Sequence, residues 1–287
     1  MADVAILVSE QYAKEPYRDD LKLQERLESQ GMTAEIVRWD QDGIDFSKFQ
    51  LAIIRSCWDY DYRVEEFLTR MKQISDQCAL YNPYRMIKEN SSKHYLKDLA
   101  RQGIPIVPTV FIQEERELEK KLDGLSGEYI IVKPTISASG RDTHRCRRDD
   151  FKEIQAVAST ILKSKDVMIQ PYMESIETRG ERSTVVVGKT PVFTMKKTPD
   201  KGNFLVHRHW GGTYEKIDLQ SEDKKFLQKV LNGLKEQPLY MRIDFVYDEK
   251  DRPLLLELEL IEPNLYLNEN KRGLELLSKE IEGLLTV

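Results

Sequence analysis

The chain has 287 residues, of which 40% are hydrophobic and 32% charged, and its formal net charge is −5. This length exceeds a usual single core and predicts two or three modules. The negative charge argues against non-specific nucleic-acid binding, and no apolar run approaches the roughly 20 residues that span a bilayer.

The cysteines indicate a reducing compartment. Cys57, Cys78 and Cys146 make an odd number without a CxxC pair, which excludes the usual cysteine metal site. The N-terminal run Met1–Val8 lacks the basic region and the long apolar core of a signal peptide. We therefore expect a cytoplasmic protein.

The first ninety residues alternate strands with helices. The predicted elements are strand Val4–Val8, helix Asp20–Gln30, strands Ala34–Arg38 and Leu51–Arg55, and helix Val64–Ile74. Such alternation implies parallel pairing, so residues 1–90 are predicted to form a small doubly wound α/β domain.

Ligands in such sheets bind at the carboxyl ends of the strands. The segment Arg55-Ser56-Cys57-Trp58-Asp59-Tyr60 follows one of these ends, which makes it a candidate binding loop. A polar loop around a packed aromatic ring would produce the same pattern.

The rest of the chain predicts two α+β pieces, residues 91–168 and 169–287, which could close over a cleft. The segment Tyr81-Asn82-Pro83-Tyr84 leads into them. The predicted elements are helix Ser92–Arg101, strands Ile106–Phe111 and Tyr129–Val132, helix Asp150–Leu162, strands Val167–Gln170, Ser183–Val187 and Pro191–Lys196, helix Asp223–Leu234, and helix Leu274–Leu285.

The most informative segment is a predicted β-hairpin near the C-terminal end. Met241–Tyr247 and Leu254–Asn264 both alternate with the period of a strand, and Asp248–Pro253 between them has turn composition. A simple register predicts that Asp244 lies opposite Glu257.

The same register puts Arg242 opposite Glu259, so that one arginine and three acids share a face. The residues predicted to face the core are Ile243, Phe245, Leu256, Leu258 and Leu260. Clustered carboxylates need a cation among them, and oxygen ligands suit Mg²⁺ held together with substrate phosphates. A hairpin with one solvated face alternates in the same way.

Other segments are compatible with a nucleotide. Lys133 ends a strand before a loop of small residues, a plausible phosphate cradle, although such loops are common turns. Lys93 opens a predicted helix, where a lysine opposes the helix dipole and could serve a bound anion. The segment Gln170-Pro171-Tyr172-Met173 suits a purine ring or a simple strand exit. The motifs GxxxxGK[ST] and GxGxxG are absent.

In their order along the chain, these segments resemble the ATP-grasp superfamily. The patterns are a helix-opening Lys, Lys-Pro with a small-residue loop, Gln-Pro, Gly-Glu-x-Ser, Arg-x-Asp and Glu-Leu-Glu-Leu-Ile-Glu-Pro-x-Leu. With Arg-Ser-x-Trp-Asp-Tyr they are most similar to glutathione-synthetase-like ligases, including the cycloserine-forming ligases. The resemblance implies an ATP-grasp fold with an N-terminal doubly wound domain, a central lid subdomain and a C-terminal antiparallel-sheet subdomain.

The resemblance also implies the site residues. Those implied to bind ATP are Lys93, Lys133, Ser137, Ala138, Ser139, Gly140, Gln170, Pro171, Tyr172, Met173 and Glu181. Those implied to bind two Mg²⁺ ions, with Mn²⁺ as an alternative, are Asp244, Glu257 and Glu259, and Arg242 is the implied catalytic residue. Those expected to bind substrate are Arg55, Ser56, Trp58, Asp59, Tyr60, Arg208, Gly211, Gly212, Glu262 and Asn264.

The implied reaction joins a small amino-acid-like carboxylate to an amine through an acylphosphate, releasing ADP and phosphate. The amine could belong to the same molecule, and a homodimer is common among such proteins. Alternative hypotheses are a ligase that adds amino acids to a protein, a small-molecule kinase, and an ATP-binding scaffold without turnover.

Overall fold

The computed structural model describes residues 2–285, which form thirteen β-strands and ten α-helices. The strands are β1 Ala2–Val8, β2 Ala34–Arg38, β3 Phe49–Ile54, β4 Ala79–Tyr81, β5 Val110–Ile112, β6 Tyr129–Pro134, β7 His144–Arg147, β8 Val167–Pro171, β9 Glu181–Val187, β10 Thr190–Thr198, β11 Thr213–Lys216, β12 Tyr240–Tyr247 and β13 Pro253–Glu259. The helices are α1 Glu10–Lys14, α2 Arg18–Ser29, α3 Val64–Ser75, α4 Tyr84–Asn90, α5 Tyr95–Arg101, α6 Leu118–Leu122, α7 Phe151–Ile161, α8 Ser175–Thr178, α9 Ser221–Asn232 and α10 Lys271–Leu285.

The N-terminal sheet is parallel, as predicted, with the strand order β2-β1-β3-β4. Its central strand β1 is buried on both faces from Val4 to Val8, which a continuous apolar run allows. One face packs on α2 and α10 and the other on α3. The sheet therefore has helices on both sides. The sequence patterns missed β4 and α4.

Two further sheets complete the molecule, and both are antiparallel. The second has the order β5-β8-β6-β7, and the third has the order β11-β10-β9-β12-β13. The predicted domain boundaries at 90/91 and 168/169 stay predictions, although β8 runs across the second of them. Residues 1, 286 and 287 of those ranges lie outside the described part of the chain.

Two predicted elements begin three or four residues later in the structure than expected. The strand expected at Ile106–Phe111 starts only at Val110, because Pro105 and Pro108 remove backbone donors on either side of Ile106. The helix expected from Ser92 starts at Tyr95. The prediction that Lys93 opens this helix is therefore wrong, and Lys93 lies in the turn before α5.

The predicted hairpin is present, and its register is confirmed at two positions. Arg242 pairs with Glu259, and Asp244 pairs with Glu257. A β-bulge follows Asp244, so Phe245 pairs with Leu255.

The bulge corrects one predicted core position. Leu255 is fully buried in the core beneath the hairpin, while Leu256 is half-buried and lines the cleft described below. An extra residue at a bulge shifts every following side chain to the other face. The prediction that Leu256 faces this core is therefore wrong. Of residues 2–285, no helix has the length and apolarity needed to cross a membrane.

Candidate active site

A cleft of about 630 Å³ is the setting of the candidate site. Its walls come from strands of the second and third sheets, together with α1, the start of α2 and the loop after β3. All eleven residues expected to bind ATP line this cleft. Arg242, Glu257 and Glu259 line it as well.

Arg242 and the acids opposite it form one end of the cleft. Arg242 Nε donates to Asp244 Oδ1 at 2.8 Å and Nη2 donates to Oδ2 at 2.8 Å, while Nη2 also bonds to Glu259. Burial alone raises the pKa of Asp244, but Arg242 and Lys197 outweigh it and hold that pKa well below its usual range. Asp244 therefore stays ionised beneath the guanidinium.

The pKa of Glu259 shifts in the opposite direction. Burial, with the repulsion of Asp244 and Glu257, raises its pKa to about 7 despite the attraction of Arg242. Two carboxylates that share one arginine cannot both be fully compensated. Glu259 is therefore the acid of this cluster that holds a proton most readily.

Lys197 lies between Asp244, beneath Arg242, and Glu181 on the neighbouring strand β9. Its ammonium lies 2.9 Å from Glu181 Oε1 and 3.9 Å from Asp244 Oδ2, and only 3% of the residue is exposed. Lys197 pairs with Glu181 across β9 and β10. A β-bulge between Pro191 and Phe193 shifts the register by one residue, whereas a simple hairpin from the turn at Gly188-Lys189 would pair Lys196 with Glu181. The pair of Lys197 with Glu181 therefore could not be read from the turn alone.

The two expected phosphate lysines differ in their partners. Lys93 Nζ lies 2.9 Å from Glu257 Oε1 and donates to the carbonyl of Ser137 at 2.9 Å. Lys133 is half-buried and, among the described residues, has no carboxylate within 4 Å. Burial lowers the pKa of Lys133, although Glu257 partly offsets this. Lys133 is thus a desolvated cation at the cleft that has no close ion pair and feels Glu257 only from beyond 4 Å.

The small-residue loop after β6, Ser137 to Gly140, is bound to the N-terminal part of the chain by hydrogen bonds and an ion pair. Ala138 N donates to Asp61 Oδ2 at 3.1 Å, and Arg141 forms an ion pair with the same carboxylate. Gly140 has φ +71°, and a Cβ there would lie 3.1 Å from the ring of His207. The two loops therefore meet over the cleft.

The family of the chain follows from comparison with known proteins. The model for the ATP-grasp domain of prokaryotic glutathione synthetase matches residues 99–259, more than half of the chain. The chain belongs to this ATP-grasp family. It is an ATP-dependent ligase that joins a carboxylate to an amine and forms a carbon–nitrogen bond. A second model, the N-terminal domain of D-cycloserine synthetase DcsG, matches residues 4–82.

Individual relatives agree with this assignment. The cycloserine biosynthesis protein DcsG of Streptomyces lavendulae is 27% identical over 259 residues, 85% of this chain and 86% of that protein. A probable alpha-L-glutamate ligase of Legionella pneumophila is 25% identical over 196 residues, 65% of this chain and 60% of that protein. The crystal structure of D-cycloserine synthetase DcsG superimposes with a TM-score of 0.87 at 23% identity, covering 99% of this chain and 100% of that one.

ATP-grasp ligases generally use Mg²⁺, and the donor set of this one fits a hard divalent cation. Glu257 and Glu259 offer carboxylate oxygens to the cleft, and Asp244 lies next to them beneath Arg242. Mg²⁺ prefers such oxygen ligands. Within residues 2–285, no three His, Cys, Asp or Glu side chains are gathered closely enough to hold a metal ion as they stand. Arg242 and Lys93 occupy the carboxylates instead, and Asp244 itself does not line the cleft.

The expected substrate residues divide into two groups. Those that line the cleft of this ATP-grasp ligase are Trp58, Tyr60, Arg208, Glu262 and Asn264. Those that do not are Arg55, Ser56, Asp59, Gly211 and Gly212.

Arg55 lies outside the cleft because its side chain is part of the core. It is 1% exposed, donates to the carbonyl of Pro263 at 3.1 Å, and lies 3.7 Å from Asp20 Oδ1. Ser56 bonds to the same carboxylate of Asp20. These two residues hold α2 against the chain that follows β13, rather than facing a ligand.

The other three residues have local structural roles. Asp59 accepts hydrogen bonds from Trp39 and Arg63 on the far side of the loop. Gly211 has φ +87°, and Gly212 packs directly on the carbonyl of Val206, where no side chain fits. The two glycines shape the loop that presents His207 and Arg208.

The cleft also contains residues that the patterns missed. Tyr12 and Tyr17, from α1 and the residue before α2, pack edge-on against Trp58 with ring centroids 5.1 and 4.9 Å away. His207 lines the cleft, and burial followed by the charge of Lys197 lowers its pKa to about 3. No local signal marked the two tyrosines, because their positions depend on a fold contact with the loop after β3.

Proposed function

We propose that this ligase activates a small carboxylic acid as an acylphosphate and then transfers the acyl group to an amine. Support comes above all from the meeting of Lys93 and Lys133 with Arg242 and the carboxylates of β13 inside one cleft. Cations on two sides of an anionic reactant, with oxygen ligands between them, suit phosphoryl transfer.

The nucleotide occupies the wall formed by β6, β8 and the small-residue loop. Gln170, Pro171, Tyr172 and Met173 offer backbone groups and apolar surface to adenine, and Glu181 lies close to the nucleoside. Lys93, Lys133 and the residues Ser137, Ala138, Ser139 and Gly140 bind the phosphates. Because Lys133 has no carboxylate within 4 Å, a bound phosphate supplies the close negative charge that it lacks.

The first step joins a carboxylate oxygen of the substrate to the γ-phosphorus while the bond to the β-phosphate oxygen breaks, releasing ADP. Arg242 stabilises the charge on the transferring group because its guanidinium lines the cleft and can present two donors in parallel. Asp244, Glu257 and Glu259 hold two Mg²⁺ ions, or Mn²⁺ in their place, which neutralise phosphate charge when bound.

In the second step the amine nitrogen bonds to the acyl carbon, phosphate leaves and the nitrogen loses a proton. The amine belongs to a second molecule or to the same one, and the size of the cleft favours a small substrate. Asp61 and Arg141 hold the small-residue loop over the cleft, which keeps water from the acylphosphate.

Trapping with hydroxylamine tests this proposal. The purified protein is incubated with Mg-ATP, hydroxylamine and a panel of amino and dicarboxylic acids, and hydroxamate and ADP are both measured. Hydroxamate with a particular acid is the expected result. A phosphorylated product without hydroxamate would indicate a kinase. Bound ATP with neither ADP nor hydroxamate would contradict turnover and favour a scaffold.

A further inference from the structure

Glu262 differs from the other acids that line the cleft in the partners of its carboxyl group. Six carboxyl side chains line it among residues 2–285, and four form ion pairs, namely Glu181, Glu257, Glu259 and Glu269. Asp19 accepts hydrogen bonds from two backbone N–H groups. The carboxyl group of Glu262 has no ion pair within 4 Å and accepts no hydrogen bond from another described residue, although only 9% of the residue is exposed.

A buried carboxyl group without a partner is unfavourable for the free protein. Burial first, and then the charge of Glu259, raise the pKa of Glu262 well above its usual range. The protein therefore keeps at the cleft an acid on which the cations Lys93 and Arg141 act only from beyond 4 Å. A ligand with a positive charge would remove this penalty.

The segment around Glu262 is held rigidly by the N-terminal part of the chain. Trp58 Nε1 donates to the carbonyl of Glu262 at 2.9 Å, and Arg55 donates to the carbonyl of Pro263. Asn264 donates to the hydroxyl of Tyr17 at 3.0 Å. Three consecutive residues are thus fixed by three different side chains, which preorganises the carboxyl group.

The surroundings of Glu262 are aromatic. Trp58 packs against Tyr12 and Tyr17, and Tyr60 is buried nearby, where burial and then the charge of Glu262 raise its pKa. Aromatic faces attract cations, most strongly where water is excluded. A carboxyl group beside such rings has the composition of a site for a protonated nitrogen.

We propose that Glu262, with Trp58 and Tyr60 beside it, binds a protonated nitrogen group of the substrate, so that the activated acid is an amino acid. This inference rests on the proposed function and adds to it the group that is recognised. Arg208 and Asn264, which also line the cleft, bind other polar groups of the substrate. A hydroxy acid of the same shape has no ammonium group and leaves the carboxyl group of Glu262 without a partner.

Pairs of acids that differ only in this nitrogen test the inference. ADP release is measured with serine and glycerate, alanine and lactate, and aspartate and malate, using both enantiomers of each. We expect kcat/KM to be at least about tenfold higher for the amino acid in any pair that is turned over. We expect Glu262→Gln, which keeps the shape of the side chain, to reduce this ratio to about twofold or less.

Glu269→Gln is the matched control, because Glu269 also lines the cleft but is paired with exposed Arg208. This variant is expected to keep the preference for the amino acid. A readout without turnover is the melting temperature in Mg²⁺ and a non-hydrolysable ATP analogue. The amino acid of the pair that is turned over should raise it in the wild type, and the matching hydroxy acid should not.

The possible failures are distinguishable. Turnover of both members of a pair at similar kcat/KM overturns the inference and leaves the ligase proposal intact, and this comparison needs no variant. A preference that survives Glu262→Gln also overturns it. If no acid yields ADP although the nucleotide binds, the proposed function itself fails and the inference fails with it.

Discussion

Arg242 lies directly over Asp244 and hides it from the cleft. The guanidinium donates to both carboxylate oxygens of Asp244, with Nε–Oδ1 and Nη2–Oδ2 distances of 2.8 Å, and its remaining contact is to Glu259. Arg242 lines the cleft whereas Asp244 does not. We expect that a divalent cation could reach Asp244 only if this ion pair opened.

Substitution of Arg242 by lysine tests its planar geometry. A lysine keeps the charge but cannot make two parallel N–H···O bonds. We expect Arg242→Lys to lower kcat for ADP release by at least about 100-fold, equivalent to roughly 2.7 kcal/mol of transition-state stabilisation. The control is Arg252→Lys, which alters an exposed ion pair with Asp248 in the hairpin turn. An Arg242→Lys enzyme within fivefold of the wild type would contradict the role given to Arg242.

The two phosphate lysines should respond differently to removal of their charge. Lys133→Met removes a desolvated cation that forms no ion pair within 4 Å, so the melting temperature without nucleotide should stay equal or rise. Lys93→Met leaves Glu257 without its counter-ion, and we expect a loss of about 1–3 kcal/mol in the free energy of unfolding.

Both lysine variants should bind a fluorescent ATP analogue at least about tenfold more weakly. Unfolding and nucleotide titrations of the same preparations measure the two effects. A Lys133→Met protein that is clearly destabilised would show that Lys133 has a structural partner, and would weaken its assignment to a phosphate.

Gly140 provides a test of the contact between the two loops over the cleft. Gly140 and Gly202 both have positive φ, +71° and +84°, so alanine at either should destabilise by about 1 kcal/mol. Only at Gly140 would the new methyl group meet His207, whereas nothing lies within 4 Å at Gly202.

We therefore expect Gly140→Ala to raise the KM for ATP by about fivefold or more, while Gly202→Ala leaves it unchanged. Steady-state kinetics with matched melting curves measure this. Equal kinetic effects of the two variants would mean that backbone strain, rather than the contact with His207, is responsible.

Asp20 should make stability depend on pH. Burial raises its pKa to about 6, despite Arg55 and Ser56, from an ordinary value of 3.8. The folded protein therefore holds the proton of the Asp20 carboxyl group more tightly than the unfolded chain does. At pH values between 3.8 and about 6, unfolding releases this proton. Stability consequently falls as the pH rises through this window, by roughly 3 kcal/mol at most for this group.

We expect Asp20→Asn to flatten the dependence of the free energy of unfolding on pH between 4 and 6.5. Asp3→Asn is the control, because a hydrogen bond from the backbone of Thr33 lowers the pKa of Asp3 and keeps it ionised over this range. Urea unfolding at several pH values measures the slope. An Asp20→Asn protein with the wild-type slope would contradict the assignment.

The hairpin shows how much of the site was predictable. Its register followed from two runs of period 2 and a short turn, and Arg242 does face Glu259. The bulge after Asp244 was not predictable, because it depends on how β13 packs against the segment at Ile106. It moves Leu256 from the core to the cleft.

Arg55 shows why the substrate side was harder to predict. Its position after a strand of a parallel sheet was expected, but the direction of its side chain depends on Asp20 and on Pro263, which lies 208 residues further along the chain. Tyr17 likewise reaches the cleft only through its contacts with Trp58 and Asn264. Contacts between distant segments leave no local pattern.

Transfer of labelled oxygen tests the central claim most directly. The acid that supports ADP release is prepared with ¹⁸O in its carboxyl group, and the phosphate formed during one turnover is analysed by mass spectrometry. Attack of the carboxylate on the γ-phosphate predicts that each phosphate carries one oxygen from the labelled carboxyl group. Unlabelled phosphate, formed at the same rate as ADP, would contradict an acylphosphate and with it the proposed mechanism.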